Sequence, residues 1–232
     1  MYSQFFKRLF DIILSFLALI ILSPIFLILI ILGAILMKGN PFFVQIRPGR
    51  ISKKTGRERL FRMIKLRSMT NARDPATGEL LPDEVRLTGY GRFLRSTSID
   101  ELPELLNVLI GDMSLVGPRP QLVRDMVFMS EEQRMRHTVR PGVTGLAQVS
   151  GRNNIGWNEK FELDLKYVGR VTLFGDIKIL FKTVGKVLRR ADTVREGTAS
   201  DLDFGDWLVK EGLVDEQTYG EKQEEAKELL KV

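Results

Sequence analysis

Two adjacent acids, Asp100 and Glu101, form the segment of this 232-residue sequence best suited to chemistry. The run Ser98-Ile99-Asp100-Glu101 has capping-box spacing, and Leu102, Leu105, Leu106, Leu109 and Ile110 follow at helical period, which predicts a helix beginning near Asp100. Pro103 is tolerated in a first turn, where backbone amides have few partners. Acids at such a start sit in the positive end of the helix dipole and are held ionised. Ionised carboxylates can attack phosphorus or bind Mg²⁺. Neighbours on a helix point about 100° apart, so they are poorly placed to share a proton or flank a glycosidic oxygen, and separate roles are more natural. Alone, such a pair is ordinary capping. Its company changes the reading. Arg95 lies upstream, Arg119 sits between Pro118 and Pro120, Arg140 precedes Pro141-Gly142 and Arg152 follows Gly151. Guanidinium forks on backbone shaped by Pro or Gly suit phosphate, and Lys65 and Arg67 add positive charge.

Other chemistries are poorly supplied. With no cysteine there is no disulfide, thiol nucleophile, Fe–S cluster or Cys-ligated zinc, and the single histidine, His137, has no evident catalytic partner and excludes a multi-His metal site. Neither a Walker A pattern nor a Rossmann glycine fingerprint occurs. The formal charge of +6 conceals a division: residues 201–232 hold ten acids against four lysines, a net −6, which leaves +12 on the first 200 residues. That surplus favours anionic partners, namely phosphate esters, acidic lipid or nucleic acid. Nucleic acid is not expected, because the basic residues are not interleaved with an aromatic platform.

A catalytic pair needs elements to place it, and the first is an anchor. Residues 12–37 are 26 consecutive positions without formal charge, about 39 Å as a straight helix against roughly 30 Å of bilayer hydrocarbon. One tilted spanning helix is one reading. The other starts from Ser23-Pro24, which divides the run into arms of eleven and thirteen residues, each too short to span. Pro24 removes an amide and the Ser23 hydroxyl can bond the freed carbonyl, so a sharp bend inside lipid becomes tolerable. Lys7 and Arg8 precede the run while Lys38, Arg47, Arg50, Lys53, Lys54 and Arg57 follow it, so both ends read as cytoplasmic.

Beyond the anchor, residues 42–46 and 60–66 read as strands of a small hairpin around a basic loop containing Pro48-Gly49 and Thr55-Gly56, and residues 71–91 as a loop. Residues 121–136 read as a helix. A later stripe of Ile177, Leu180, Phe181, Val184, Val187 and Leu188, with Lys178, Lys182, Lys186, Arg189 and Arg190 around the wheel, suits a helix on an acidic membrane surface or one packed on the core. The C-terminal segment reads as a solvated accessory element, helical near 221–230.

These motifs together resemble the small monotopic phosphoglycosyl transferases, the bacterial sugar transferase family acting on polyprenyl phosphate. The resemblance covers residues 2–198 and rests on Lys7-Arg8 with Asp11, Ser23-Pro24, Gln45-x-Arg47-Pro48-Gly49, Lys65-Leu66-Arg67-Ser68-Met69, Ser98-Ile99-Asp100-Glu101-Leu102-Pro103, the run from Asp112 through Pro118-Arg119-Pro120, and Arg140-Pro141-Gly142-Val143-Thr144-Gly145. Within the family the chain looks most like compact members that transfer phospho-N,N'-diacetylbacillosamine in protein N-glycosylation. The resemblance implies an α+β fold, mainly helical with a small β-hairpin. Residues 1–40 would be a re-entrant membrane helix broken at Ser23-Pro24 and 41–198 one cytosolic catalytic domain, whereas the acidic accessory tail, 199–232, extends past the compact members and takes nothing from the resemblance. It implies transfer of a phosphosugar from a UDP-sugar to undecaprenyl phosphate with release of UMP, at the cytoplasmic face of the bacterial inner membrane. Later glycosyltransferases would receive the product. On matching positions Asp100 would be the nucleophile and Glu101 its partner, both serving as Mg²⁺ ligands, with Arg95 and Arg119 ahead of Lys65, Arg140 and Arg152 as phosphate contacts. A non-catalytic membrane-tethered module binding acidic lipid or nucleic acid is the alternative.

Overall fold

The computed structural model describes residues 2–151, 155–189 and 202–231. Arg152 and Arg190 lie outside the described residues. The protein is mostly helical with a small sheet and one long apolar N-terminal helix, an arrangement compatible with a membrane-anchored domain.

Helix α1 (Lys7–Leu36) is long and apolar enough to cross a membrane. It stays helical through Pro24, so the expected break is no interruption of the helix. The reason is local: Ser23 Oγ donates to the Ile20 carbonyl at 2.7 Å, the acceptor that the missing Pro24 amide leaves free. Burial in α1 is confined to its two ends, at Lys7, Asp11 and Ser15 and then at Leu29 and Gly33. At the first end Lys7 pairs with Asp176 at 2.7 Å, Arg8 donates to the Val108 and Leu109 carbonyls, and Asp11 accepts the Leu115 amide. At the other, Leu29 packs with Leu66 and Leu94, and the Tyr90 hydroxyl donates to the Leu29 carbonyl at 2.7 Å.

The hairpin forms as antiparallel β1 (Phe42–Ile51) and β2 (Glu58–Leu66). Pro48-Gly49, expected in the connecting loop, instead lies within β1, where the register shifts between Pro48 and Ile51. Residues 71–91 are not wholly loop: they hold the single turn α2 (Asp83–Arg86) and the start of α3 (Gly89–Thr97). A 3-10 turn over Ile99–Glu101 then leads into α4 (Glu104–Ile110). Two three-residue strands, β3 (Ser114–Val116) and β4 (Gly142–Thr144), pair in parallel.

The single helix expected over 121–136 is instead broken into α5 (Val123–Met126), α6 (Glu131–Arg134) and a 3-10 turn at Met135–Thr138. Ser130 and Gln133 form a reciprocal capping box that restarts the chain, which is why one helix does not run through. Next come α7 (Leu146–Ser150), α8 (Trp157–Gly169) and α9 (Leu173–Arg189), the last matching the predicted amphipathic helix. Phe174, Ile177, Phe181, Val184 and Leu188 of α9 are exposed as one stripe, while Ile179 packs inward with Val116, Val149 and Tyr167.

The C-terminal segment contains α10 (Phe204–Lys210) and α11 (Glu216–Leu230). It is not simply solvated, as its charge suggested: Phe204 and Ala226 are each 2% exposed and belong to core clusters.

Candidate active site

The acids lie where two elements meet. Ser98, with φ 55°, closes α3 in the left-handed region instead of capping a helix that starts at Asp100, and the α-helix begins only at Glu104. Asp100 and Glu101 therefore project from a tight 3-10 turn. Asn107, fully buried, clips this region to the sheet by accepting the Ile64 amide at 3.1 Å and donating to the Arg62 carbonyl at 2.7 Å. That register delivers Lys65 from β2: its Nζ lies 3.0 Å from Glu101 Oε1 and 3.1 Å from Glu104 Oε1.

Arg119 arrives from the segment after β3 and donates to the same Glu101 oxygen. Its backbone is pinned on both sides, with Arg136 Nη2 donating to the Arg119 carbonyl at 2.7 Å and Arg47 Nη1 to the Pro120 carbonyl at 3.3 Å. Gly117 is required just before it, because a Cβ there would strike the Arg140 carbonyl across the β3–β4 crossing. From α3, Arg95 Nε donates to Ser68 Oγ at 3.0 Å. Gly91 allows that approach, since a Cβ would collide with the Ser68 carbonyl.

The charges divide the two acids into different states. Burial pushes Glu101 upward, but Arg119 and Lys65 more than offset it and hold the carboxyl well below the usual carboxylate range. Asp100 moves the other way. Burial, then the negative charge of Glu101, raise it to about 6 against the opposing pull of Lys65, Arg119 and Arg95. Side-chain cations therefore keep Glu101 ionised, a stronger cause than the helix start expected from sequence. Asp100 is the more basic oxygen and still ionised at neutral pH. Glu104, raised by burial to about 7, faces Lys65 outside hydrogen-bond geometry and makes no hydrogen bond through either carboxylate oxygen.

The structure thus gathers Lys65, Arg95 and Arg119 around Asp100 and Glu101. Arg140 goes elsewhere: its Nε donates to the Gly111 carbonyl at 2.9 Å, and it faces Arg8, Arg50 and Asp11 at the foot of α1. Arg152 lies outside the described residues. Two site residues escape a reading of the sequence. Glu104 was legible in principle from its i, i+3 spacing to Glu101, whereas Arg47, whose buried Nε makes no hydrogen bond, reaches the cluster only through β1. His137 is core filling, with Nδ1 3.0 Å from buried Glu58.

Mg²⁺ takes one or two carboxylates and completes its shell with water and phosphate oxygens. Asp100 and Glu101 are two adjacent carboxylates that could hold such an ion, and no group of three or more candidate metal ligands gathers among the described residues.

The chain is 50% identical over 182 residues to a Bacillus subtilis protein described as an uncharacterized sugar transferase, EpsL, covering 78% of this chain and 87% of that one. It is 40% identical over 205 residues to the undecaprenyl-phosphate galactose phosphotransferase of Salmonella typhimurium, 81% of this chain and 41% of the relative. Against the UDP-glucose:undecaprenyl-phosphate glucose-1-phosphate transferase of Klebsiella pneumoniae the identity is 41% over 193 residues, 79% and 40% of the two chains. The chain therefore spans about two fifths of the length of these last two relatives. Residues 2–190 match the family model described as bacterial sugar transferase, and with a half-identical relative covered almost end to end, the chain belongs to the bacterial sugar transferase family.

Proposed function

We propose that the protein transfers a phosphosugar from a UDP-sugar to undecaprenyl phosphate through a covalent aspartyl intermediate. The observation that carries this reading is the split between the two acids: Glu101 is neutralised by Lys65 and Arg119, while Asp100 is raised to about 6 beside them. A carboxylate made more basic yet still ionised is a better nucleophile, and three cations around it suit the charge of a diphosphate.

In the first step an Asp100 oxygen attacks the β-phosphorus, the bond from that phosphorus to the bridging oxygen breaks, and UMP leaves with the bond electrons. In the second, an oxygen of the polyprenyl phosphate attacks the same phosphorus and the Asp100 carboxylate departs, giving the lipid diphosphosugar. Arg119 and Arg95 orient the phosphates, and Lys65 fixes Glu101. Mg²⁺ held by Asp100, Glu101 and the donor would neutralise diphosphate charge.

The membrane arrangement is read from α1. Its ends are bound to one domain while no residue from 16 to 28 is buried. Arg8 and Leu29 would stand about 31 Å apart on a straight helix, yet they meet partners on neighbouring elements: Arg8 the end of α4, Leu29 a cluster that includes Ile99. A helix that leaves the domain and returns to it, bent near Pro24, accounts for both. The exposed stripe and basic residues of α9 would lie on the same surface, the cytoplasmic face of the inner membrane.

The relatives' names point to galactose and glucose donors, ahead of the diacetylbacillosamine donor implied by the compact-family resemblance. The test is UMP release in lipid nanodiscs containing undecaprenyl phosphate, across UDP-galactose, UDP-glucose and UDP-N,N'-diacetylbacillosamine. Release from one donor, abolished by chelation of Mg²⁺ and accompanied by radiolabel on the polypeptide when acceptor is withheld, is expected. Verified product without any labelled polypeptide would remove the covalent step. Salt-sensitive binding without UMP release would favour the tethered-module alternative.

A further inference from the structure

The family match ends at residue 190, so the helical C-terminal segment, residues 202–231, lies beyond it. That segment is nonetheless built into the domain through both of its helices. Phe204 is buried against Trp157 and edge-on to Phe161, with ring centroids 5.2 and 5.0 Å away. Beside it, Asp203 pairs with Arg124, and Trp157 Nε1 donates to the Leu202 carbonyl at 3.2 Å. On α11, Ala226 packs on Val123, Met126 and Val127 of the α5 region, and Tyr219 stacks on Phe128.

Two routes lead from Phe204 to the backbone that carries Arg119. The first is polar. The Phe204 amide donates to Asp125 Oδ1 at 2.9 Å, and the other oxygen of that buried carboxylate accepts the Leu122 amide at 3.2 Å, three residues after Arg119. The second is aromatic. Phe161, against which Phe204 packs, lies under the Arg136 guanidinium at 5.7 Å, and Arg136, paired with Asp164, donates to the Arg119 carbonyl itself. The backbone amide of Phe204 thus closes one support of the loop and its ring the other. Packing of this density transmits a lost side chain as a displacement, because buried interfaces hold discrete arrangements and leave few voids.

We propose that residues 202–231 are a brace for the reaction, with Phe204 and Asp125 as positioning residues that set Arg119 against the donor diphosphate. The proposal rests on the transfer reading above. In that reading Arg119 orients the phosphates, so loosening the brace acts first on donor binding, while Lys65 and Arg95 stay beside Asp100.

The test uses the full chain in nanodiscs with Phe204→Ala, the conservative Phe204→Leu and, should the alanine variant not fold, Asp125→Asn, which keeps the shape but can no longer accept both amides. The donor KM is expected to rise about tenfold in Phe204→Ala with kcat within about twofold and the acceptor KM unchanged, and Phe204→Leu recovers most of the loss. In parallel, hydrogen exchange at the Leu122 amide rises at least about tenfold while the Ile64 amide, held by Asn107, keeps its protection. Lys227→Ala, which removes only an exposed pair with Glu224, leaves every value at wild type. An unchanged donor KM, or a fall in kcat with the donor KM intact, overturns the proposal. If the wild-type protein releases no UMP from any donor, the transfer reading fails on its own, and exchange at Leu122 still decides whether the brace exists.

Discussion

Among the described residues, the charge cluster at the foot of α1 and the one around Asp100 are built to different standards. At the foot of α1, Asp176 accepts from Tyr2, Lys7 and Tyr167, and Arg8 spends two nitrogens on the carbonyls that end α4. Around Asp100 the groups are poorly matched: Glu104 makes no hydrogen bond, Arg47 Nε is unpaired, and two acids are pushed above their ordinary range. Burying a charge without full partners is costly, so under the proposed function the cluster around Asp100 is the one that a bound ligand would complete.

The largest break in that contrast is Asp100→Asn. Turnover falls by at least about 10⁴-fold while the protein still folds and binds membranes, and single-turnover UMP release measures it; near-normal turnover would end the role given to Asp100. Asp176→Asn acts on the other side. It leaves Lys7 without its anion where the side chain is almost out of solvent, and should cost about 3 to 5 kcal/mol in a denaturation midpoint while turnover per folded molecule persists. A loss of activity without loss of stability would make the foot of α1 part of the chemistry.

Glu104→Gln should have the reverse sign. The folded carboxyl is raised to about 7 from an ordinary value near 4.5, so its ionisation penalises the folded state, the cost growing as pH rises between those values and complete above 7. The variant should gain about 1 to 3 kcal/mol at pH 8 and almost nothing at pH 4, read as thermal midpoints. Destabilisation at pH 8 would mean that Glu104 is a satisfied partner of Lys65. The smallest effect is a displacement of the pH profile. Turnover should fall as pH drops through about 6, where Asp100 takes up a proton, and Lys65→Met, by removing the largest cationic support, should move that limb upward by about one unit. A limb that stays in place would assign it to another group.

A long uncharged run made the anchor readable before any coordinates, apolar stretches around turn residues the hairpin, and helical periodicity α9. The gathering of Lys65, Arg95 and Arg119 around the acids was readable from motif and charge. Arg140 was misplaced for the same reason, since a guanidinium before Pro-Gly has the same signature whether it meets substrate or the Gly111 carbonyl. The capping-box spacing at Ser98 was coincidental: the chain needed a left-handed residue to turn out of α3, and no local pattern announced it. Nor could ten acids in the C-terminal segment reveal that two apolar positions, Phe204 and Ala226, would be buried.

Lys7 on α1 is joined to Asp176 on α9 by a buried ion pair, which would make the exposed apolar faces of the two helices one plate. Under the proposed topology, that joint works as a draught mark on a hull. The depth at which α9 floats fixes the entry point of α1, and the altitude of Asp100 above the acyl chains follows from internal bonds, independent of bilayer thickness. Spin labels near residue 100 should then report one depth in thin and thick vesicles alike, and a depth that tracks acyl-chain length would show the plate to be hinged.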